Sequence, residues 1–410
     1  MNSLEHAMAK IDDSQPQMIE FLRNLIRTPS LSGDERRVAE LVADEMEALG
    51  YAVEVDDMGS VVGRRGAAGG RSILFNGHMD HIDAGARDRW SHDPYAADVV
   101  GGVLHGRGTV DMKGSLAAMI HGCAAPEVRG QVVVTCVVHE ETNEGVATRK
   151  IIEGMGSGPD ACVLGEPTDL RVSVGQRGRG VFRITTRGAT SHASMPELGR
   201  NALYEMAPII DRIKESNRHL PRDALLGAGS VAVTGIACKP GGGPIIPDLC
   251  EISVDRRLIP QENVDIVLGE LRALAPGADV ELVEEELTCY TGYRTRSKQY
   301  FPGWITDGGH WLVKESIDTL EDATGQRPDV TVWKFSTDGV ATAGALRIPT
   351  VGFGPGDPSL AHQPDERIAL SDVVAAARGF CALAHRLAAW SATGPCPSPI
   401  SSRPPRAARP

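Results

Sequence analysis

The stretch SILFNGHMD, residues 72–80, is a short apolar run that breaks into a glycine turn bearing a histidine and an aspartate. A compact apolar run bounded by turn formers reads as a buried strand. Working outward, three more runs share the pattern. VVVTCVV (132–138) leads into His139-Glu140-Glu141, ACVL (161–164) into Gly165-Glu166, and PTVGF (349–353) into a Gly- and Pro-rich loop that reaches His362. Strands apolar on both faces belong to parallel sheets covered by helices. Helical patterns alternate with them. QMIEFLRNLIR (17–27) sets Met18, Phe21, Leu22, Leu25 and Ile26 on one face. A second helix after Ser32 carries Val38, Leu41, Val42, Met46 and Leu49 and stops at Gly50, with others expected over 113–124 and 146–153. The fold expected is α/β: a mixed, mostly parallel sheet with helices on both faces.

From residue 179 the rhythm changes. Strand GVFRITTRG, helix 200–217, strands SVAVTGIA and LCEISVDRRL, helix 263–274 and strand DVELVEEEL give the order βαββαβ. That order implies a small α+β unit with two helices on one face of an antiparallel sheet. The chain therefore divides into a discontinuous domain, 15–178 and 290–392, and an inserted domain, 179–289. Residues 393–410, TGPCPSPISSRPPRAARP, lack a core-forming pattern and are expected to be a disordered tail.

Composition narrows the function classes. The 410 residues exceed what one core usually holds. A net charge of -12 and a pI near 5.5 argue against a nucleic-acid or anionic-membrane partner. No apolar stretch is long enough to span a bilayer, and the N-terminus MNSLEHAMAKIDDSQPQ does not read as a signal peptide. The cysteines form no C-x-x-C pair and several sit in apolar runs, which suits core thiols and a cytoplasmic location.

Side chains just past the carboxyl ends of parallel strands converge on one crevice. His78 and Asp80, Glu140 and Glu141, Glu166 and His362 all hold such positions, and Asp111 in GRGTVDMKG stands just ahead of a helix. Carboxylates gathered in a buried place need cations. Two divalent ions nearly balance Asp111, Glu141, Glu166 and a bridging hydroxide. Imidazole and carboxylate donors suit two Zn²⁺ and also admit Co²⁺ or Mn²⁺. Of the adjacent acids 140 and 141, one on metal and one free is the economical arrangement.

NGHMDHIDAG, GRGTVDMKG, HEETNEG, LGEPTD and AHQPDE, in that order, resemble the motif series of the dinuclear zinc aminoacylase, acetylornithine deacetylase, succinyl-diaminopimelate desuccinylase and glutamate carboxypeptidase family. The similarity covers nearly all of residues 15 to 390. GQRGRG, WKFSTDGVATAG and GFGPGD resemble most closely a branch of selenium-metabolism-linked hydrolases. The resemblance implies a metallopeptidase-type hydrolase in which His78 and Glu166 hold one zinc, Glu141 and His362 the other, and Asp111 bridges them. It implies that Asp80 fixes the tautomer of His78, that Glu140 is the general base, and that the peptide bond before Met112 is cis. It makes the inserted domain a lid through which a homodimer forms. His192, in GATSHAS, would reach the partner subunit's site, and Arg257, in SVDRRL, would bind a substrate carboxylate. One departure stands out: Pro244, in GGGPIIPD, replaces the family's usual asparagine.

The activity implied is hydrolysis of an amide in an N-acyl amino acid or small peptide, by deacylation or by dipeptidase or carboxypeptidase cleavage. Hydrolysis of a ureido or aryl-amine C–N bond and a non-catalytic metal-bound role are the alternatives.

Overall fold

The computed structural model describes residues 3–67 and 70–389; the tail expected at 393–410 lies outside them. The four runs singled out in the sequence form the centre of a nine-stranded sheet. Gln131–Val137, Ser72–His78, Ala161–Leu164 and Thr350–Gly352 lie side by side in that order, all parallel. Antiparallel strands extend both edges: Val61–Gly66 and Ala52–Val55 on one side, Val172–Gln176 and Trp304–Ile305 on the other. Val330–Trp333 runs parallel to Val172–Gln176.

Strand Ser72–His78 is buried on both faces, and consecutive side chains show why. Phe75 packs edge-on against Phe380 of helix Leu370–Ala389, ring centroids 6.2 Å apart. Asn76, pointing the other way, donates at 2.8 Å to the hydroxyl of Thr148 on helix Val146–Gly154. Helices thus cover both faces, and burying a ring such as Phe75 contributes roughly 2 kcal/mol.

The first helix is longer than its apolar pattern suggests. It runs Ser3–Arg27, with Pro16 inside it. Ala7 and Ile11 continue the buried stripe of Met18, Leu22 and Leu25, so packing against the core outweighs the backbone bond that proline removes.

The inserted unit is built on a five-stranded antiparallel sheet, ordered Ser230–Lys239, Leu249–Leu258, Gly178–Arg187 and Asp279–Leu282, with Tyr300–Phe301 also pairing on Gly178–Arg187. Along Leu249–Leu258 the even-numbered residues are buried; Ile252 and Val254 pack with Met206 of helix Ala202–Ser216 and Val267 of helix Val264–Leu274. The odd-numbered ones, Asp255 and Arg257 among them, point to the other face.

The second crossing between the bodies comes later than residue 290. The hairpin of Glu284–Thr288 and Arg294–Lys298 sends its tip onto the catalytic body, where Leu287 and Cys289 join the core and the Tyr290 hydroxyl donates to the Gly59 carbonyl at 2.9 Å. The chain then returns to the lid, with Tyr300–Phe301 pairing on Gly178–Arg187, before Trp304 enters the main sheet. The two crossings touch. A Cβ on Gly178 would lie 2.4 Å from the Gly303 nitrogen, which leaves room only for glycine. No helix among the described residues is long and apolar enough to cross a membrane.

Candidate metal centre and substrate cleft

His78 ends its strand almost fully buried, with Nε2 2.9 Å from Asp111 Oδ1 and 3.7 Å from Glu166 Oε1. His362 Nε2 lies 3.2 Å from Asp111 Oδ2 and 3.0 Å from Glu141 Oε2. The Asp111 carboxylate therefore stands between two imidazoles, one oxygen facing each. The distances sort the residues into two sets, His78 with Glu166 and His362 with Glu141, that share Asp111. Glu140 Oε2 is 4.0 Å from His78 Nε2, so geometry alone would also admit it beside His78 and Glu166.

Local backbone presents these groups. His139 and His362 adopt φ of +60° and +64°, the left-handed region that non-glycine residues seldom occupy, at the two loops that deliver Glu141 and the second imidazole. The Asp111–Met112 peptide is cis. His78 Nδ1 is 2.9 Å from the Asp80 carbonyl oxygen and 3.5 Å from the Asp80 carboxylate. A carbonyl only accepts, so Nδ1 carries the proton and Nε2 can offer its lone pair. The Asp80 carboxylate instead accepts the amides of Glu140 and Glu141, both at 3.2 Å, and the Ser32 hydroxyl at 2.6 Å. Asp80 thus ties the acidic loop to the strand that carries His78.

The electrostatics fit cations. Burial pushes the Glu140 and Glu166 carboxyls well above their ordinary range, while burial and then the Asp111 charge take Glu141 up to about 7. Hydrogen bonds to Asp111 and Glu141 raise His362 to about 10. Burial opposes ionisation of Asp111, yet the two imidazoles outweigh it and hold its carboxyl low. With protein groups alone the cluster must take up protons to stay buried. Two divalent ions remove that need, and the oxygen and nitrogen donors suit them.

Three buried acids that sequence reasoning passed over brace the site. Glu366 accepts Val110 and Asp111 amides at 2.8 and 3.1 Å with one oxygen, and the Arg107 guanidinium and Gly108 amide at 2.6 and 3.1 Å with the other. It joins the loop of His362 to that of Asp111. Asp338 accepts the Gly145 amide and the Thr148 hydroxyl, both at 2.7 Å. Glu35 accepts the His139 amide at 3.1 Å. The cue available for Glu366 was its place inside the AHQPDE motif.

The cluster opens into a cleft of ≈ 370 Å³ whose far wall belongs to the lid. Arg257 and Arg179 are paired across adjacent strands and both line it. Asp255 sits between them, accepting from Arg257 Nε at 2.8 Å and Arg179 Nε at 3.2 Å through different oxygens. Glu144 reaches Arg179 from the catalytic body at 3.4 Å. Neither Arg179 nor Glu144 was foreseen, although both lie in quoted motifs, GQRGRG and HEETNEG. His192 is outside this cleft. It is exposed on the lid, where its Nδ1 accepts the Ser194 amide at 3.1 Å. Pro244 is its neighbour, accepting the Ala193 amide at 2.8 Å through its carbonyl.

A two-body α/β fold with imidazoles and carboxylates gathered at the ends of parallel strands, facing a lid, defines a metal-dependent hydrolase. The chain belongs to the peptidase family M20/M25/M40, whose model matches residues 74–386. It is 36% identical over 386 residues to the uncharacterised protein YgeY of Escherichia coli K12, covering 92% of this chain and 96% of that one. It is 25% identical to the succinyl-diaminopimelate desuccinylase of Hahella chejuensis, over 88% of this chain and 94% of the relative. In fold it is similar to aminopeptidase PepT of Bacillus cereus (TM-score 0.70, 18% identity, 91% of this chain and 99% of the other). A family M20 carboxypeptidase of Sulfolobus solfataricus superposes equally well (TM-score 0.70, 19% identity, 90% and 97% covered).

Proposed function

We propose that the protein hydrolyses the amide bond of an N-acyl amino acid or small peptide with two divalent ions, zinc foremost. His78 and Glu166 would hold one ion, Glu141 and His362 the other, and Asp111 both. When bound, such a pair supplies Lewis-acid polarisation of a carbonyl and lowers the pKa of water.

The observation that carries the reading is Glu140. It is buried among the cluster, lines the cleft, and its Oε1 has no hydrogen-bond partner among the described residues. That unpartnered oxygen, facing the cleft, suits a group that takes a proton from the attacking water and passes it to the departing nitrogen. Asp80 steadies Glu140 through its backbone amide. Arg257 offers a cation at the cleft wall for a substrate carboxylate.

A homodimer formed through the lid would let His192 act on the partner subunit's substrate, polarising the scissile carbonyl. The apolar side chains of Met195, Leu198, Tyr204 and Ile245 are exposed on the lid segments that carry or neighbour His192, which supports a contact face there. The described cysteines are all free, six of them buried, which supports a reducing cytoplasm.

Cleavage of a ureido or aryl-amine bond is the second reading. Pro244 keeps it open, because an amide donor is lost and a rigid backbone gained where the family usually carries asparagine.

The test is Glu140→Gln. It should bind metal like the wild type and lose orders of magnitude in turnover on N-acyl amino acids, dipeptides and ureido compounds, each assayed with zinc, cobalt and manganese. Turnover near wild type would remove Glu140 from the role.

A further inference from the structure

Glu144 is more than nine-tenths buried and lines the cleft, yet only one of its oxygens is occupied. Oε1 takes the Arg179 guanidinium at 3.4 Å, while Oε2 has no donor among the described residues. Buried carboxylate oxygens are rarely left so, because a missing partner costs the full desolvation of the group. In a cleft, the missing donor is a ligand's. Beside it, Arg179 also shares the carboxylate of Asp255 with Arg257, and the two guanidinium groups retain N–H groups for a further anion.

A buried acceptor oxygen without a donor and a cation with N–H groups to spare thus stand next to each other, on opposite walls of the cleft. We propose that Glu144 and Arg179 read the free α-ammonium and α-carboxylate of an amino acid head group, the ammonium on Glu144 and the carboxylate on Arg179 with help from Arg257. This deepens, and rests on, the amidohydrolase reading of the site. The two groups of such a head share one carbon, which matches receptors only a hydrogen bond apart. A dipeptide spreads its charges across the amide and fits less well. The exchange is neutral: the head group's two charges replace the internal Glu144–Arg179 contact with matching ones, leaving no charge stranded. An α-acylated head group would satisfy Arg179 and leave Glu144 buried opposite an anion, so the pair also discriminates against blocked ligands. The scissile amide then lies on the side chain, as in a side-chain-acylated diamino acid, and points toward Glu140, four residues before Glu144.

Calorimetry on metal-loaded enzyme, with lysine and Nα-acetyl-lysine as probes, tests the head group without turnover. Lysine should bind at least about tenfold more tightly, and Glu144→Gln should abolish the difference. Equal binding of the two, no binding of either, or a preference unchanged in Glu144→Gln would overturn the assignment. In turnover, Nε-acetyl-lysine should exceed Nα,Nε-diacetyl-lysine and alanyl-alanine in kcat/KM by a similar factor in the wild type, and lose that lead in Glu144→Gln. If the head-group preference in binding holds while no amide in the panel is cleaved, the amidohydrolase reading fails and the binding site stands. If amides are cleaved with no head-group preference, the reverse is true.

Discussion

Replacing Glu366 by glutamine changes one atom in a fully buried site where four donors meet. The glutamine oxygen can still accept from Val110 and Asp111. Its NH₂ group must then face the Arg107 guanidinium and the Gly108 amide, donor against donor. Arg107 is itself almost fully buried and retains a 3.3 Å hydrogen bond to the Gln363 carbonyl and the Trp90 ring, 5.1 Å away, but no carboxylate. Stranding one member of a buried pair costs about 3–5 kcal/mol. At roughly 2 °C per kcal/mol for a large domain, the melting transition of the catalytic body should fall by about 8 °C. The clash falls on Gly108 and Arg107, in the loop that carries Asp111, so metal affinity should also drop by about 10–100-fold. Arg107→Met in the Glu366→Gln background removes the stranded charge and should recover most of the loss, since a well-packed apolar replacement of a buried pair is often neutral. Differential scanning calorimetry on the two single variants and the double, all demetallated, gives the cycle. A shift under about 2 °C for Glu366→Gln, or additive losses in the double variant, would refute the reasoning.

Glu35 holds its proton up to about 7, against 4.5 ordinarily, because burial and then the Asp80 charge disfavour the anion. The folded chain thus binds the extra proton between those values and loses stability as pH rises through the window; Glu35→Gln should match wild type below it and exceed it by up to ~3 kcal/mol above, by urea unfolding at both ends. Metal loading near about pH 6 should release protons from Glu141 and His362, seen as a calorimetric heat that varies with the buffer's ionisation enthalpy; a buffer-independent heat would count against those ligands. Leu198→Asp with Tyr204→Asp should give a monomer by light scattering with intact metal content and lost turnover. A wild type that is already monomeric, or His192→Ala and Glu140→Gln subunits that never complement when mixed, would end the cross-subunit role of His192.

The four apolar runs were legible because a strand buried on both faces must be apolar throughout, and the residues that follow such strands must meet. His78, Glu141, Glu166 and His362 come from that rule, and Asp111 from its glycine turn. The braces were not legible. Glu366 meets Asp111 across more than two hundred and fifty residues, and nothing near either one in sequence announces the other. Arg179 reads locally as an ordinary strand-surface cation; only the register that sets it opposite Arg257 makes it part of the cleft. The late second crossing was hidden for a similar reason. Leu287 and Cys289 pack on the catalytic body, so the sequence there resembles a return, while the short pairing of Tyr300–Phe301 is too brief to leave a periodic pattern.

The touching glycines have a mechanical consequence. Gln176 and Trp304 are ladder partners on the catalytic side, and Arg179 and Phe301 on the lid side, so the lid hangs from a two-stranded ribbon rather than from two independent tethers. Such a ribbon bends across its plane far more easily than its strands slide past each other, because sliding breaks every rung while bending breaks none. The hairpin tip at Leu287, Cys289 and Tyr290 is a further anchor on the catalytic body, so the ribbon at Gly178 and Gly303 and that tip together restrain the lid. Because Arg179 and Arg257 are ladder partners on neighbouring strands, any movement of the lid would carry both together and keep their spacing to each other.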